Sequence, residues 1–272
     1  MNYFGILEGA YRDLLRNKMR SLLTVLGITI GIAAVICVVA IGTAGQDQVE
    51  RQMSNLGDNY VWIQAGGWTV NGVRTGTHTL PTLTLADLIA IESQVPLIKL
   101  VSPNVDASVQ VIYGNQNWFT IYRGVSPAYF DIKRWYPEQG AVFTDEDIEN
   151  AAGVCVIGKT IRDQLFGAEN PVGKVVRVGK LPCRVVAVLR PKGLSYTGQD
   201  QDDQIILPYT TAQKKLKGTV WLDDIVGSAV SQNAVRLAGQ QAAAVLRDRH
   251  HLRPEEGDDF SIRNPEDVIQ AQ

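Results

Sequence analysis

A run of 21 uncharged, mainly apolar residues, LLTVLGITIGIAAVICVVAIG from Leu22 to Gly42, restricts the fold of this chain more than any other feature. At a rise of 1.5 Å per residue, a helix over this run is about 31 Å long, which matches a hydrocarbon core of about 30 Å. The run therefore predicts a transmembrane helix over residues 22–42.

A cleaved signal peptide and a buried core helix are the alternatives to a retained membrane anchor. Signal peptides usually have apolar regions of about 7–15 residues that end at a small-x-small cleavage site. Here the run is longer, and the next segment, GTAGQDQVERQM, has the composition of a continuing helix. We expect that helix to extend through a stalk over 43–57, from the membrane to about Leu56, and to stop at Gly57.

The charges that flank the apolar run predict its orientation. Four basic residues precede it, namely Arg12, Arg16, Lys18 and Arg20. The segment that follows is mixed, with Asp47, Glu50 and Arg51. Because Lys and Arg near a membrane segment favour the cytoplasmic side, residues 1–21 form a cytoplasmic amphipathic segment in this interpretation. Residues from about 46 onward are then extracytoplasmic.

Small residues inside the run suggest a contact face for another helix. Gly27 and Gly31 form a G-x-x-x-G pair, and small residues four apart let two helices approach closely. The alternative is that the glycines reflect only the general frequency of Gly in membrane helices.

The composition favours one membrane anchor joined to folded, water-facing sequence. Hydrophobic residues make up 45% of the chain and charged residues 20%. These values fit neither a protein with many membrane helices nor a disordered chain. The net charge is -2, so the chain does not have the excess of basic residues that nucleic-acid binding requires.

Two stretches of the folded sequence predict similar β-α-β units. In the first, the strand YVWIQA (60–65) precedes a helix LADLIAIESQ, which Thr84 and Asp87 begin as a capping box. A loop rich in Gly and Thr separates that strand from the helix, and the strand LVSPNVDASVQVIY follows it.

The second stretch follows a strand QIILPY and a short helix TTAQKKL. It combines TVWLDDIVGSAV (219–230), which we interpret as an alternating strand, with a helix over 233–249 and a last strand DFSIRN. Together the two stretches predict an α+β domain that is interrupted by an insertion.

The insertion is rich in predicted hairpins. VQVIYGNQNWFTIYRGVS predicts one that turns at Gly114 and Asn115, and KVVRVGKLPCRVVAVLRP predicts a second that turns near Gly179 and Lys180. A short helix PAYFDI, an acidic helix, a strand and a further helix that ends at Gly167 lie between them. We therefore divide the folded part into 58–112 with 204–270, and the inserted block 113–203.

Two segments resemble phosphate- or calcium-binding motifs but do not have the residue spacing that these motifs require. The segment GAENPVGK (167–174) resembles a phosphate-binding loop, but it has five residues between its glycines instead of four, and Val175 follows the lysine. The acidic segment GQDQDDQ (198–204) has Ile205 and Thr211 where a calcium loop starting at Asp200 needs Gly and Glu, which favours a solvated loop.

Histidine and cysteine add no clear site. His78 lies in the Gly- and Thr-rich loop, and His250 and His251 lie at a helix end, where we expect surface histidines. No G-x-S-x-G segment is present. Cys155 and Cys183 lie in strand-like runs, where an oxidising compartment permits a bridge, although small buried cysteines are the commoner explanation. We predict no catalytic residue, no metal site and no cofactor.

The N-terminal run, LLRNKMRSLLTVLGITIGIAAVICVVAIGTAGQDQVERQMSNLGDNYVWIQAG, resembles the start of MacB-type (FtsX-like) ABC transporter permeases. Further matching segments follow in order, namely RGVSPAYFDI (123–132), VIGKTIRDQLFG (156–167), NPVGKVVRVG (170–179) and GQDQDDQIILPYTTAQKKL (198–216). The resemblance covers residues 3–269, and as an ordered set it is highly specific.

The resemblance implies a homodimeric permease in a bacterial inner membrane that works with a separate ABC ATPase subunit and a periplasmic adaptor protein. It also implies an extracytoplasmic domain with a porter-like α/β part, here 58–112 with 204–270, and an inserted sabre-like part, here 113–203. A stiff stalk helix would transmit ATP-driven motion to this domain, which contacts substrate or partner proteins in export.

The chain departs from the family pattern because family permeases have three further membrane helices, whereas no second apolar run follows before Gln272. We interpret the sequence as a fragment of such a permease or as a natural truncation. Two other functions stay open: a single-span anchored binding or adaptor protein without transport activity, and an anchored hydrolase.

Overall fold

The computed structural model describes residues 18–56, 59–66, 81–195 and 198–264. The chain divides into two compact units, residues 1–51 and 52–272. Among the described residues, the first helix is α1 (Lys18–Leu56), which runs for 39 residues without interruption. Leu56 is the last described residue of the helix, and Gly57, where we expected the helix to stop, lies outside the described residues.

The first part of α1 is the membrane-spanning candidate. Among the described residues, α1 is the one helix that is long and apolar enough to cross a bilayer. Its candidate span is Lys18–Thr43, with a mean hydropathy of 2.8. Its large apolar side chains are exposed within the chain, with Ile41 at 74% and Val38 at 70%. Such exposure is what a helix surrounded by lipid requires.

The second unit, here called the folded domain, mixes strands with short helices. Its described strands are β1 (Tyr60–Ala65), β2 (Ile98–Tyr113), β3 (Gln116–Val125), β4 (Pro137–Gly140), β5 (Val154–Ile157), β6 (Val175–Val178), β7 (Leu181–Leu189), β8 (Gln204–Pro208), β9 (Asp224–Ala229) and β10 (Phe260–Arg263). Its described helices are α2 (Leu85–Gln94), α3 (Ala128–Ile132), α4 (Asp145–Glu149), α5 (Lys159–Leu165), α6 (Tyr209–Thr211), which continues as a π-helix Ala212–Lys217, and α7 (Val235–Arg249).

Four strands in the order β10-β1-β9-β2 form the first part of the sheet, with every neighbouring pair antiparallel. Strands β1 and β2 are thus parallel to each other with β9 between them, and β9 and β10 are parallel with β1 between them. This is the β-α-β-β-α-β arrangement of two interlocked split units. We call β10, β1, β9 and residues 98–104 of β2, with α2 and α7, the four-stranded part.

The remaining strands except β4, together with the second half of β2, pair in a closed ring. Residues 105–113 of β2 pair with β3, and pairing then continues through β8, β5, β7 and β6, which pairs back to β2. We call these six strands the ring part. Strand β4 adds to the outer edge of β7.

Two apolar clusters hold the folded domain together. The larger one joins the helix-covered face of the four-stranded part to side chains from alternate positions of the ring strands. The ring side chains include Val109, Val111, Tyr122, Cys155, Ile157, Val176, Val178, Cys183, Val185, Ile205 and Leu207. The second cluster packs α3 and the Trp135 and Phe143 rings against the other face of β5, β8 and β9. Burial on both faces explains the unbroken apolar runs in β5 and β8.

Local signals in the sequence predicted several elements. Tyr113 pairs with Gln116 and Val178 with Leu181, so both predicted hairpins have the predicted two-residue turns. Gly114 and Gly179 have φ of +55° and +58°, a conformation that glycine adopts without steric cost. The Thr84–Asp87 capping box is also present at the start of α2.

The predicted alternating strand over 219–230 was wrong in its extent and in its pattern. Strand β9 covers only Asp224–Ala229, and all six residues are buried. Ile225 lies in the larger apolar cluster and Val226 in the second one, so both faces of β9 are covered. Val220 and Trp221, which we expected in the strand, are exposed in the loop before it.

The division into 58–112 with 204–270 and an inserted block 113–203 stays a prediction. Strand pairing crosses its boundaries, because β2 serves both parts of the sheet and β8 pairs with β3 and β5. Residues 52–272 form one compact unit.

Candidate functional site

The Gly27–Gly31 pair lies on an open surface of α1. A Cβ atom built on either glycine meets no atom within 4 Å. The hydroxyls of Thr24 and Thr29 donate to the carbonyl oxygens of Arg20 and Val25, so these polar groups are satisfied within the helix. The surface is thus suited to lipid or to another helix, and the role of the glycines in packing stays a prediction.

The basic residues that set the predicted orientation fall partly within the described chain. Lys18 and Arg20 are exposed in the first turn of α1, ahead of its apolar stretch. Arg12 and Arg16 lie outside the described residues.

A group of polar contacts, here called the joint, lies where β2 changes its pairing partner from β9 to β3. Asn104 is the last residue of β2 that pairs with β9, opposite Asp224, and Val105 is the first that pairs with β3. The Asn104 amide donates to an Asp224 carboxylate oxygen at 2.8 Å. The Asp223 carboxylate accepts the backbone N–H of Asp106 at 2.7 Å.

Arg123 forms a half-buried ion pair beside this joint. Its guanidinium donates to Asp106 Oδ2 at 3.0 Å and to the Tyr129 hydroxyl at 3.3 Å. Burial and the Asp224 and Asp223 carboxylates raise the pKa of Asp106 to about 6, although the Arg123 guanidinium opposes this change. Asp106 and Arg123 are directly opposite in the β2–β3 hairpin.

This pair is missing from the predictions above, although the sequence contains a signal for it. Counting outward from the predicted turn at Gly114 and Asn115 places Asp106 opposite Arg123, and opposite charges at facing positions attract each other. The contact between Asp223 and Asp106 spans 117 residues, and no local pattern predicts it.

Two lysines lie close together on the side of the domain that holds α3. Lys133 Nζ is 4.0 Å from the centroid of the Tyr60 ring, and Lys192 Nζ donates to the Lys133 carbonyl oxygen at 2.6 Å. Burial, helped by the Arg123 and Lys192 cations, lowers the pKa of Lys133 to about 7. Burial lowers the pKa of Lys192 to about 8. Lys133 thereby links the start of β1 to the segment after α3.

His250 is not the surface histidine that we expected. Its side chain is only 11% exposed, with Nδ1 2.8 Å from Asp259 and Nε2 3.5 Å from Asp87. The hydrogen bond to Asp259 and the nearby Asp87 carboxylate raise the pKa of His250 to about 9. The side chain is thus a cation held between two carboxylates. His251 is exposed, as expected, and His78 lies outside the described residues.

The segment that resembles a phosphate-binding loop is engaged in its own contacts. Lys174 Nζ lies 2.6 Å from Glu169 Oε1, and Asn170 Oδ1 accepts the backbone N–H of Val172. The lysine that would contact a phosphate is therefore paired with a carboxylate.

The acidic segment 198–204 is more buried than the solvated loop that we expected. Asp202 is 4% exposed, and its carboxylate accepts the backbone N–H groups of Lys192 and Gly193. Asp203 accepts the Trp118 indole N–H, and Asp200 accepts the Thr160 hydroxyl. These carboxylates therefore organise the loop between β7 and β8. Across the described chain, no group of three or more His, Cys, Asp or Glu side chains could hold a metal ion.

Cys155 and Cys183 are free thiols inside the ring part, and both are fully buried. A hydrogen bond from Cys183 and burial raise the pKa of the Cys155 thiol. A bridge between them, the less favoured alternative in the sequence, is not formed in the structure.

The end of the four-stranded part that is remote from Tyr60 presents an exposed apolar and basic surface. Tyr60 pairs with Ser228, whereas Gln64 pairs with Asp224, so the loop before β9 lies at the far end of β1. In that loop Val220 is 74% exposed and Trp221 40% exposed. Lys214 and Lys215, in the preceding π-helix, are also exposed. We call these four residues the apical surface.

The sequence matches the family model of the MacB-like periplasmic core domain over residues 21–249. It is 34% identical over 260 residues to a macrolide export ATP-binding/permease protein MacB from Chlorobaculum tepidum, covering 96% of this chain and 40% of that protein. A MacB protein from Bdellovibrio bacteriovorus is 36% identical over 97% of this chain and 41% of its own length.

A pyoverdine export ATP-binding/permease protein PvdT from Pseudomonas syringae pv. syringae is 30% identical, over 99% of this chain and 39% of that protein. The chain thus spans about 40% of the length of the curated relatives that it matches.

Solved structures support the fold. The periplasmic region of MacB from Actinobacillus actinomycetemcomitans has a TM-score of 0.68 at 24% identity, over 82% of this chain and 97% of that structure. The extracellular domain of the ABC-type transporter YknZ from Gram-positive bacteria has a TM-score of 0.61 at 21% identity, over 75% of this chain and 100% of that structure. The α+β fold with one candidate membrane helix, the family match and these relatives agree with the resemblance found in the sequence. The chain therefore belongs to the MacB-like ABC transporter permeases, with a MacB-like periplasmic core domain.

Proposed function

We propose that this chain acts as a permease subunit of an ABC exporter, in which a separate ABC ATPase subunit hydrolyses ATP. The observation that carries the proposal is the uninterrupted helix Lys18–Leu56, which leads from a membrane span to a folded domain of the MacB family. Export is the activity named for the MacB and PvdT relatives.

In the proposed mechanism, α1 transmits motion from the membrane to the folded domain. A helix of 39 residues is about 58 Å long, and about 20 Å of it follows the apolar span at Thr43. A continuous helix transmits force along its axis because each backbone hydrogen bond links successive turns, whereas a break absorbs the motion. The folded domain would then move and push substrate or a partner protein.

The proposed location is a bacterial inner membrane, with the N-terminus in the cytoplasm and residues from about 46 outside it. The exposed Lys18 and Arg20 ahead of the apolar stretch support this orientation. The proposal includes a homodimer, in which the open Gly27–Gly31 surface provides close contact between helices.

We assign contact with a partner protein to the apical surface. This surface combines an exposed Trp221 with lysines, and aromatic side chains are enriched at protein interfaces. It lies at the sheet end remote from Tyr60, where the chain enters the four-stranded part after α1. An extracytoplasmic adaptor protein with an acidic surface is the partner that this chemistry fits, because it would complement Lys214 and Lys215.

The proposed role of the folded domain is mechanical and non-catalytic. The carboxylates at Asp202 and Asp203 hold backbone or indole N–H groups, and His250 is paired with two carboxylates. These three polar residues, which could suggest chemistry, therefore each have structural contacts.

Three measurements test the proposal. Fusion of a reporter that is active only in the cytoplasm to the C-terminus should give no activity, and strong activity would overturn the orientation. Affinity purification of the tagged chain from its native membrane should recover a nucleotide-hydrolysing subunit. ATP hydrolysis by that complex should stop when the phosphate-binding lysine of the partner is replaced. Recovery of the chain without any ATPase subunit would contradict the exporter assignment.

A further inference from the structure

We infer that Asp223 is a positioning residue that holds the four-stranded part and the ring part at a fixed angle. The two parts share β2, whose pairing changes between Asn104 and Val105. At this change the Asp223 backbone N–H donates to the Asn104 carbonyl oxygen at 2.9 Å. Its carboxylate accepts the Asp106 N–H at 2.7 Å. The Asp223 side chain thus continues the hydrogen bonding of β9 onto the ring part.

Lys217 completes this joint from a third segment of the chain. Its ammonium lies 2.6 Å from each Asp223 carboxylate oxygen and 3.0 Å from the Asp106 carbonyl oxygen. Lys217 ends the π-helix that follows β8, a ring strand. Asp223 and Lys217 are 22% and 32% exposed, so solvent screens this ion pair less than a fully exposed one.

Directional contacts are what a fixed angle requires. The hydrophobic effect is non-directional, whereas a hydrogen bond weakens steeply once its donor–hydrogen–acceptor angle is strongly bent. The joint places hydrogen bonds on both the N–H and the carbonyl oxygen of Asp106, from two different segments. Rotation of the ring part about β2 would break both bonds together.

A second set of contacts crosses the same boundary at other points. The Ser126 N–H donates to the Ser102 hydroxyl at 3.0 Å, and the Lys133 ammonium lies over the Tyr60 ring. These contacts and the Asp223 joint are spread across the boundary, which resists rotation in more than one direction. Motion that reaches Tyr60 is then passed to the ring part without a hinge. This consequence for export rests on the proposed function, but the rigidity of the joint does not.

Intrachain distances between spin labels test the joint directly. Leu237 on α7 is 50% exposed and Val175 on β6 is 57% exposed, so cysteines at these two positions report on the two parts. Cys37 is replaced by Ala, because it is exposed, whereas Cys155 and Cys183 are fully buried and do not react in the folded protein. Labelled chains are diluted with unlabelled ones, so that only distances within one chain contribute.

Three variants separate the joint from general stability. Asp223→Ala removes the acceptor for the Asp106 N–H and the ion pair. Lys217→Met removes the cation and its hydrogen bond to the Asp106 carbonyl oxygen but leaves the Asp223 acceptor in place. The control is Asp163→Ala, which deletes one carboxylate whose partners, Lys159 and Arg162, lie on its own helix in the inserted block. We expect a narrow distance distribution in the unmodified chain and in the control, a broad or shifted one in Asp223→Ala, and an intermediate one in Lys217→Met.

The outcomes decide the inference even if one variant fails to fold. If Asp223→Ala does not fold, Lys217→Met provides the test, because it keeps the Asp223 acceptor for the Asp106 N–H, and a distribution as narrow as that of the unmodified chain would then overturn the inference. A folded Asp223→Ala variant with a distribution as narrow as that of the unmodified chain would overturn the inference. Equal broadening in Asp163→Ala would do the same, because it would show a general loss of order.

A transport measurement distinguishes this inference from the proposed function. In membranes that contain the ATPase partner, Asp223→Ala should retain ATP hydrolysis and lose export. If the unmodified chain neither supports hydrolysis nor exports, the proposed function fails. The label distances still decide whether Asp223 holds the joint.

Discussion

The Nδ1 atom of His250 lies 2.8 Å from Oδ1 of Asp259, and this contact ties the end of α7 to the segment before β10. The same histidine approaches Asp87 in the first turn of α2. The Asp259 carbonyl oxygen accepts the Thr82 hydroxyl at 2.8 Å. One cation therefore holds together three segments at the end of the four-stranded part that is remote from Tyr60.

We predict that the stability contributed by His250 is lost in alkaline solution. The pKa of His250 in the folded protein is raised to about 9, above its ordinary value of 6.5. The contribution is therefore fully present below about pH 6.5 and disappears as the pH rises through about 9. The free energy of unfolding, measured in urea between pH 6 and 10, should fall more steeply for the unmodified chain than for His250→Gln.

At pH 6.5, His250→Gln should lower the free energy of unfolding by about 1–3 kcal/mol, because hydrogen bonds to charged groups are lost. The matched control is His251→Gln, which alters an exposed histidine at the next position. Parallel pH curves for the unmodified chain and His250→Gln would contradict the assignment of the cation.

The lowered pKa of Asp87 predicts how the stability of the folded domain changes in acid. Burial raises its pKa, but hydrogen bonds from His250, Thr84 and Arg249 outweigh burial and hold the pKa of the Asp87 carboxyl well below its usual range. Its contribution is present above the ordinary value of 3.8 and is lost as the pH falls below it. Asp87→Asn should therefore flatten the loss of stability below about pH 4, as followed by circular dichroism during acid titration. An acid titration curve unchanged by Asp87→Asn would contradict this account.

Gly158 is predicted to tolerate no side chain. A Cβ atom on Gly158 would lie 2.1 Å from the Asp202 carbonyl oxygen and 2.8 Å from its carbonyl carbon. These are backbone atoms of a buried residue whose carboxylate accepts hydrogen bonds from the backbone N–H groups of Lys192 and Gly193. Gly158→Ala should lower the free energy of unfolding by about 1–3 kcal/mol in urea, the usual cost of overpacking.

Gly227→Ala is the control for this substitution, because its Cβ would meet neighbours at 3.4 Å or more in a buried strand. A loss for Gly158→Ala no greater than that for Gly227→Ala would show that the Asp202 backbone moves aside easily.

The sequence predicted those elements whose cause is local. Hairpin turns at Gly114 and Gly179 and the Thr84 capping box each depend on a few neighbouring residues, and the structure has all of them. The pairing of β6 with β2, which closes the ring, joins residues 111 and 178 and has no local signal. The joint between Asp223 and Asp106 is also a long-range contact.

The wrong expectations have a common physical cause. Strand β9, His250 and Asp202 were interpreted as half-exposed or exposed, because polar residues in a sequence usually face water. In the structure, elements distant in the chain cover β9 on both faces and supply partners for the His250 and Asp202 side chains. A single sequence does not reveal burial that depends on tertiary contacts.

The glycine pair in α1 is predicted to mediate contact between two copies of the chain. Replacement of Gly27 and Gly31 by Leu should weaken self-association in the membrane, because larger side chains keep the two backbones apart. Ala33→Leu is the control, since Ala33 lies about 200° around the helix from Gly31 and on the opposite face. Crosslinking across α1 that is unchanged in the Gly27→Leu, Gly31→Leu variant would assign the glycines to composition alone.

The central claim is that ATP-driven motion reaches the folded domain through an unbroken α1, and a proline in the stalk tests it most directly. Gln48→Pro removes a backbone hydrogen bond in the helix interior, at a cost of about 3 kcal/mol, whereas Gln48→Ala preserves the helix. Spin labels at Leu237 on two copies of the chain, in lipid with the ATPase partner, report the distance between folded domains. We predict that ATP binding changes this distance in the unmodified chain and in Gln48→Ala. In Gln48→Pro the distance should stay constant although ATP hydrolysis continues. A distance that ATP does not change in the unmodified chain, or that changes equally in Gln48→Pro, would contradict the account.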